Sequence, residues 1–249
     1  MQRFENKVVL VTGAGSGIGK GSALRIAAEG GAIFCVDLNL AAAEETAKEI
    51  SAAGGTALAQ ACDVSSEQQV IDCVAACVEQ LGSLYAVINM AGMLRFDDSR
   101  ELELAKWQQI LDINLTGTML MCREALPHLI KSGGSIVNAA STAALSGLPC
   151  GAAYSASKGG VLAMTRSIAV DYAKQGVRAN CVCPGDINSG MTQGIDWPKT
   201  MDFDLMPRIM SISGPKNPEA IAGVIAMLAS EDATHITGED IRVDGGMLS

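Results

Sequence analysis

Lys7-Val-Val-Leu-Val-Thr12-Gly13-Ala-Gly-Ser16-Gly17-Ile18-Gly19 is the stretch that decides the fold. Its first half is a short, mostly apolar run that reads as a strand. Its second half is a glycine-rich turn, and a helical pattern follows to about Gly30. Glycines let the backbone approach a pyrophosphate, and the first turn of the helix offers free N–H groups at its positive end. Strand, glycine turn and helix together form the phosphate-binding unit of a dinucleotide fold. The spacing is G-x-x-x-G-x-G rather than G-x-G-x-x-G, and a tight turn without a ligand would use the same glycines.

Outward from this unit, Gly31 to Asp37 reads as a second strand ending in an acid. A carboxylate there accepts hydrogen bonds from ribose hydroxyls and repels a 2′-phosphate. No basic residue stands at Ser16 or directly after Asp37, where Leu38 and Asn39 follow, so the cofactor expected is NAD. Asp37 is also placed to cap a helix over 40–53.

Further strands are expected at 56–62, closed by Asp63 and Val64, at 85–89, at 135–140, at 176–183 and at 240–244. Helices are expected at 66–81 (with Ser66 as cap), 104–130, 154–175 and 219–230. Asn114 interrupts the long helix; an amide there is unfavourable unless its side chain finds water or a backbone group. Met90, Ala91 and Gly92 follow the fourth strand, and their small members leave room for a ligand. Gly159-Gly160 permits a close contact, with a partner subunit or with the chain's own sheet. Strands alternating with helices imply an α/β fold: one Rossmann-type, doubly wound parallel sheet of about seven strands, helices on both faces. The chain reads as a single domain over 1–249, with a substrate-loop segment at about 186–218.

Chemistry gathers where the fifth strand ends. Ser141 lies at its C-terminal edge, where open α/β sheets bind ligands. Tyr154 and Lys158 follow, four residues apart and so on one helix face. A nearby ammonium favours a phenolate, which makes the pair a tuned proton donor and acceptor; an ordinary amphipathic helix can carry the same spacing. Asp186 to Pro218 holds Met191, Trp197, Met201, Phe203, Met206 and Met210. With Leu148 and Cys150 they point to a roomy apolar pocket, unless they only cover core. Ser141, Cys150, Tyr154 and Met191 are the expected substrate contacts.

With 27 acidic against 18 basic residues the formal net charge is -9, which argues against nucleic acid as a partner and suits a small-molecule substrate. No apolar run approaches the roughly 20 residues of a membrane span, and no signal peptide is read at the start. Eight cysteines are then expected as thiols in the cytoplasm rather than as disulfides. Cys73 with Cys77, and Cys181 with Cys183, lack a second ligand pair at zinc spacing, so no metal is expected.

These residues together resemble the short-chain dehydrogenase/reductase family over nearly the whole chain. Thr12 to Gly19 is similar to its cofactor loop, Asp63-Val64 to its adenine-contacting pair, and Asn89-Met90-Ala91-Gly92 to its N-N-A-G, with Met90 for the second Asn. Asn114, Ser141, Tyr154 and Lys158 fall where its catalytic tetrad falls. Pro184-Gly185-Asp-Ile187-Asn-Ser189 resembles the segment that holds the nicotinamide carboxamide, with Ser189 for the usual Thr. The resemblance implies hydride transfer between a carbinol carbon and nicotinamide, with Tyr154 moving the hydroxyl proton and Ser141 holding the oxygen. It implies that Lys158 lowers the Tyr154 pKa and binds the nicotinamide ribose, and that Asn114 holds a water in a proton relay. It also implies a homotetramer built on the helices around Asn114 and Tyr154. The substrate expected is a hydrophobic alicyclic or steroid-like secondary alcohol. Alternatives are a 3-oxoacyl thioester, a polyol or a dihydrodiol, and lastly NAD(H) sensing without catalysis.

Overall fold

The computed structural model describes residues 2–192 and 194–249; Met1 and Gln193, the latter inside the expected substrate segment, lie outside the described residues. The apolar runs form seven parallel strands: β1 (Val8–Thr12), β2 (Ala32–Asp37), β3 (Thr56–Ala61), β4 (Ala86–Asn89), β5 (Ser135–Ala139), β6 (Arg178–Pro184) and β7 (Asp240–Val243). Their order in the sheet is β3-β2-β1-β4-β5-β6-β7. Chain direction across the sheet reverses between β1 and β4, and ligand crevices of such sheets open at that switch.

Strand residues alternate between two cores, as the two-residue period requires. Val9 and Val11 of β1, with Ile33 and Cys35 of β2, pack on the face that carries α1 (Gly17–Ala28) and α7 (Glu219–Ala229). Val8, Leu10, Phe34 and Val36 pack on the other, beneath α3 (Glu67–Leu81) and α5 (Gly117–Ser132). Both faces being covered, these strands are apolar throughout rather than half polar.

Several local expectations are corrected by the side chains. Asp37 does not cap α2 (Leu40–Ala52): Asn39 does, its Oδ1 accepting from Ala42 N at 3.4 Å. Ser66 holds the position before α3, but its side chain makes no capping bond. The single long helix expected over 104–130 is α4 (Leu104–Leu111), a π-helical turn at Asp112–Thr116, and then α5. The extra residue of the π turn carries Asn114 to an interior position with no exposure. Gly160, on α6 (Ala152–Tyr172), packs within the chain, where a Cβ would lie 2.7 Å from Leu115; Gly159 faces open space.

At the C-terminal end of α1, the buried Glu29 carboxylate accepts from Arg3 and Arg25, and Arg3 also reaches Asp232. No helix among the described residues is long and apolar enough to cross a membrane.

Candidate active site and cofactor cleft

The glycine turn is shaped by contacts that no side chain could share. A Cβ on Gly19 would fall 2.0 Å from the Gly13 carbonyl oxygen, and Gly13 itself has φ +65° against the Met90–Ala91 backbone. Thr12 Oγ1 accepts from both Met90 N and Ala91 N at 3.1 Å, fastening the turn after β4 to the end of β1. Ser16 precedes α1 without a side-chain cap, so the first amides of that helix face the cleft uncapped.

The cleft has a volume of about 420 Å3. Its walls include Gly13, Ser16, Gly17, Ile18, Gly19, Asp37, Leu38, Asp63, Val64, Ala91, Gly92 and Ser189, each named from the sequence. Asp37 offers a carboxylate already held in place: one oxygen accepts from Gly15 N at 2.9 Å, the other from Asn39 N at 3.0 Å. Asp63 is held by Ser65, whose amide and hydroxyl both donate to its Oδ1. Glycine cradle, helix N-terminus, carboxylate and apolar wall together fit a dinucleotide. Asn89 does not line this cleft. It is buried, and its Nδ2 donates to Asn138 Oδ1 at 2.8 Å inside the core. The cleft also includes Val36, Cys62, Gln109 and Ile113, which carried no signal in the sequence.

A second cavity, of about 640 Å3, joins the cleft through Ile18, Met90, Gly92, Ser189 and Met191, which line both. Ser141, Tyr154 and Lys158 stand on its wall, as do Pro184, Gly185 and Ile187. Ser141 arrives at the end of β5 in extended conformation, and its Oγ accepts from Ala143 N at 3.1 Å. Its hydroxyl acts electrostatically on the Tyr154 phenol. Burial raises the Tyr154 pKa above the ordinary phenol value, and the Ser141 contact opposes this only in part.

Lys158 is 4 % exposed. Desolvation brings its pKa down to about 8, with the thiols of Cys181 and Cys183 pulling the other way. Its Nζ donates to Ala139 O at 2.7 Å and sits 5.8 Å from the centre of the Tyr154 ring. The expected lowering of the Tyr154 pKa by this ammonium is therefore not what the structure shows. The ammonium is turned to a backbone carbonyl, and burial dominates the phenol.

Asn114 is satisfied by the chain itself. Its Oδ1 accepts from Met93 N at 2.8 Å, and its Nδ2 donates to Met93 O at 2.9 Å and Ser157 Oγ at 3.1 Å. Ser157 Oγ in turn donates to Tyr154 O at 2.7 Å. The amide thus ties the loop after β4 to the helix that carries the tyrosine. Gly92 leaves the room this needs, since a Cβ there would sit 3.0 Å from Asn114 Oδ1.

The methionine-rich segment divides. Met191, Trp197, Met206 and Met210 line the reaction cavity, with Leu148 opposite. Met201 is buried elsewhere, and Phe203 stacks edge-on against Trp197 at 5.9 Å. Cys150 is not among the lining residues; it occupies a left-handed turn (φ +54°) where its carbonyl accepts from Asp97 N. Leu94, Phe96 and Met247 also line the cavity, and nothing in their sequence context marked them. All eight cysteines are free thiols, and no group of three or more metal-ligating side chains occurs among the described residues.

Comparison with known proteins agrees with this arrangement. A family model described as enoyl-(acyl carrier protein) reductase matches residues 13–248. The chain is 38% identical to a meso-2,3-butanediol dehydrogenase of Serratia marcescens, over 98% of this chain and 95% of that one. It is 36% identical to a cyclohexanol dehydrogenase of Acinetobacter sp. (strain SE19), over 99% and 97%. The crystal structure of a dehydrogenase/reductase from Sinorhizobium meliloti 1021 superposes with a TM-score of 0.90 at 30% identity, covering 99% of this chain and 96% of that one. By sequence and by structure, the chain belongs to the short-chain dehydrogenase/reductase family and is an oxidoreductase of CH–OH groups.

Proposed function

We propose that this protein interconverts an apolar, alicyclic secondary alcohol and its ketone with NAD. One observation carries the reading: Ser141, Tyr154 and Lys158 open onto a largely apolar cavity continuous with the dinucleotide cleft. The similarity to a cyclohexanol dehydrogenase supports an alicyclic substrate.

The nicotinamide cofactor supplies the hydride acceptor or donor. In this reading Gly13, Ser16, Gly17, Ile18 and Gly19 hold its pyrophosphate, Asp37 and Leu38 the adenosine ribose, and Asp63 and Val64 the adenine. Ala91 and Gly92 leave space along the cleft, and Pro184, Gly185, Ile187 and Ser189 hold the carboxamide. Asp37 selects NAD, because its fixed carboxylate meets a 2′-phosphate with like charge. Ser141 hydrogen-bonds the substrate oxygen. Tyr154 takes the hydroxyl proton as phenolate in oxidation and returns it as phenol in reduction. Lys158, with its lowered pKa, exchanges protons near neutrality, and Asn114 positions the helix that carries both. Reduction of an acyl thioester is the second reading, favoured only by the description of the matching family model.

The test is NADH formation across propan-2-ol, cyclohexanols, terpenols and hydroxysteroids, with NADP in parallel. A rate that rises with apolar bulk and requires NAD is expected. A preference for NADPH together with turnover of acyl thioesters overturns the reading in favour of the second.

A further inference from the structure

Among the described residues, Asp186 is the only acid on the wall of the reaction cavity, and Lys158 the only base. Lys158 is committed to the Ala139 carbonyl. Asp186 is half-buried, and among the described residues its carboxylate has no hydrogen-bond or ion-pair partner. Its backbone is fixed: the carbonyl accepts from Lys216 N at 3.2 Å, and the neighbouring Ile187 pairs with Lys216 in a β-bridge. The segment comes directly off the end of β6, between Gly185 and Ile187, so Asp186 stands on a rigid mount rather than on a free loop.

An unpartnered carboxylate in an apolar cavity is costly to cover. A substrate that seals the cavity with hydrocarbon alone strips water from Asp186 and returns nothing. A substrate with a second donor replaces that water by a charge-assisted hydrogen bond. A site that expects such a bond discriminates sharply against the analogue lacking it. We infer that Asp186 is a specificity-determining residue that accepts a hydrogen bond from a second donor group, so that the preferred substrates are alicyclic alcohols bearing a neighbouring hydroxyl. An anionic substituent at the same place is rejected by like charge. This rests on the alcohol-oxidising reading above and narrows it.

The test compares kcat/KM for trans-cyclohexane-1,2-diol and cyclohexanol in the wild type, Asp186→Asn and Asp186→Leu, with NADH affinity measured by fluorescence in each. The wild type is expected to favour the diol by about ten- to hundred-fold, the span of one hydrogen bond to a charged group. Asp186→Leu brings that ratio down at least ten-fold, chiefly through KM for the diol, and Asp186→Asn, which keeps an acceptor, falls between. Retained NADH binding shows that the cofactor segment is intact. A ratio unmoved by Asp186→Leu, or loss of NADH binding in both variants, overturns the inference and leaves the alcohol reading standing. Bound NADH with no turnover of either alcohol by the wild type overturns both.

Discussion

Tyr154 and Lys158 show how one helix turn sets two opposed ionisations. Burial raises the phenol and lowers the amine, so neither group is at its ordinary value, and the cavity wall carries both. Tyr154→Phe keeps the ring and its packing but removes the proton carrier. We expect kcat to fall by about 10²–10⁴-fold with NADH affinity near that of the wild type, read by steady-state rates and fluorescence titration. Lys158→Met is expected to abolish turnover and raise the melting temperature. The folded chain holds Lys158 with a pKa of about 8 against an ordinary 10.5. Below pH 8 both folded and unfolded chains carry the proton, and the burial cost is fully felt. Between about 8 and 10.5 the unfolded chain binds more protons, so the cost is relieved as pH rises. The gain in melting temperature from Lys158→Met is therefore largest at pH 7 and shrinks by pH 10, a trend that thermal scans at the two pH values would show or refute.

Among the elements, the β1–turn–α1 unit was legible because sterics leave it little freedom. A strand that ends in glycines spaced for a cradle has few other uses, and the Gly19–Gly13 contact shows why. Gly19→Ala drives a methyl into a backbone carbonyl. It is expected to destabilise the fold by about 1–3 kcal/mol and to weaken NADH binding at least ten-fold, as denaturant unfolding and cofactor titration would report. The π turn at Asp112–Thr116 was not legible. An interruption at Asn114 was evident from propensity, but its form depends on partners at Met93 and Ser157, which lie 21 and 43 residues away. The capping residue of α2 was misplaced for a like reason. Asp37 and Asn39 both suit a cap, and only the pull of Gly15 N on Asp37 decides between them. Cys150 was assigned to the substrate pocket from its nearness to Tyr154 in sequence, yet its left-handed backbone turns it out of the lining.

In the molecule as a whole, the parallel sheet of about seven strands with helices on both faces followed from the alternation of strands and helices, while the reaction cavity did not. Leu94 and Phe96 reach it from the loop after β4 and Met247 from the far end of the described chain, and no periodicity announces such a meeting. Exposed apolar side chains remain on the helices flanking the site: Leu104 on α4, Met119 on α5 and Val170 on α6 are 78%, 37% and 79% exposed. With Gly159 facing open space, they mark surfaces suited to further copies of the chain. We propose a homotetramer, and light scattering during size exclusion at micromolar concentration should give four times the 25.7 kDa chain mass; a monomer would refute it.

The junction of the two chambers has a kinetic consequence. Ile18, Met90, Gly92, Ser189 and Met191 belong to both walls, so the alcohol chamber lacks a finished boundary until the dinucleotide chamber is filled. Association should therefore be compulsory in order, coenzyme first and alcohol second, with the ketone departing before the reduced coenzyme. Product-inhibition patterns would reveal this: NADH competitive against NAD, the ketone noncompetitive against it.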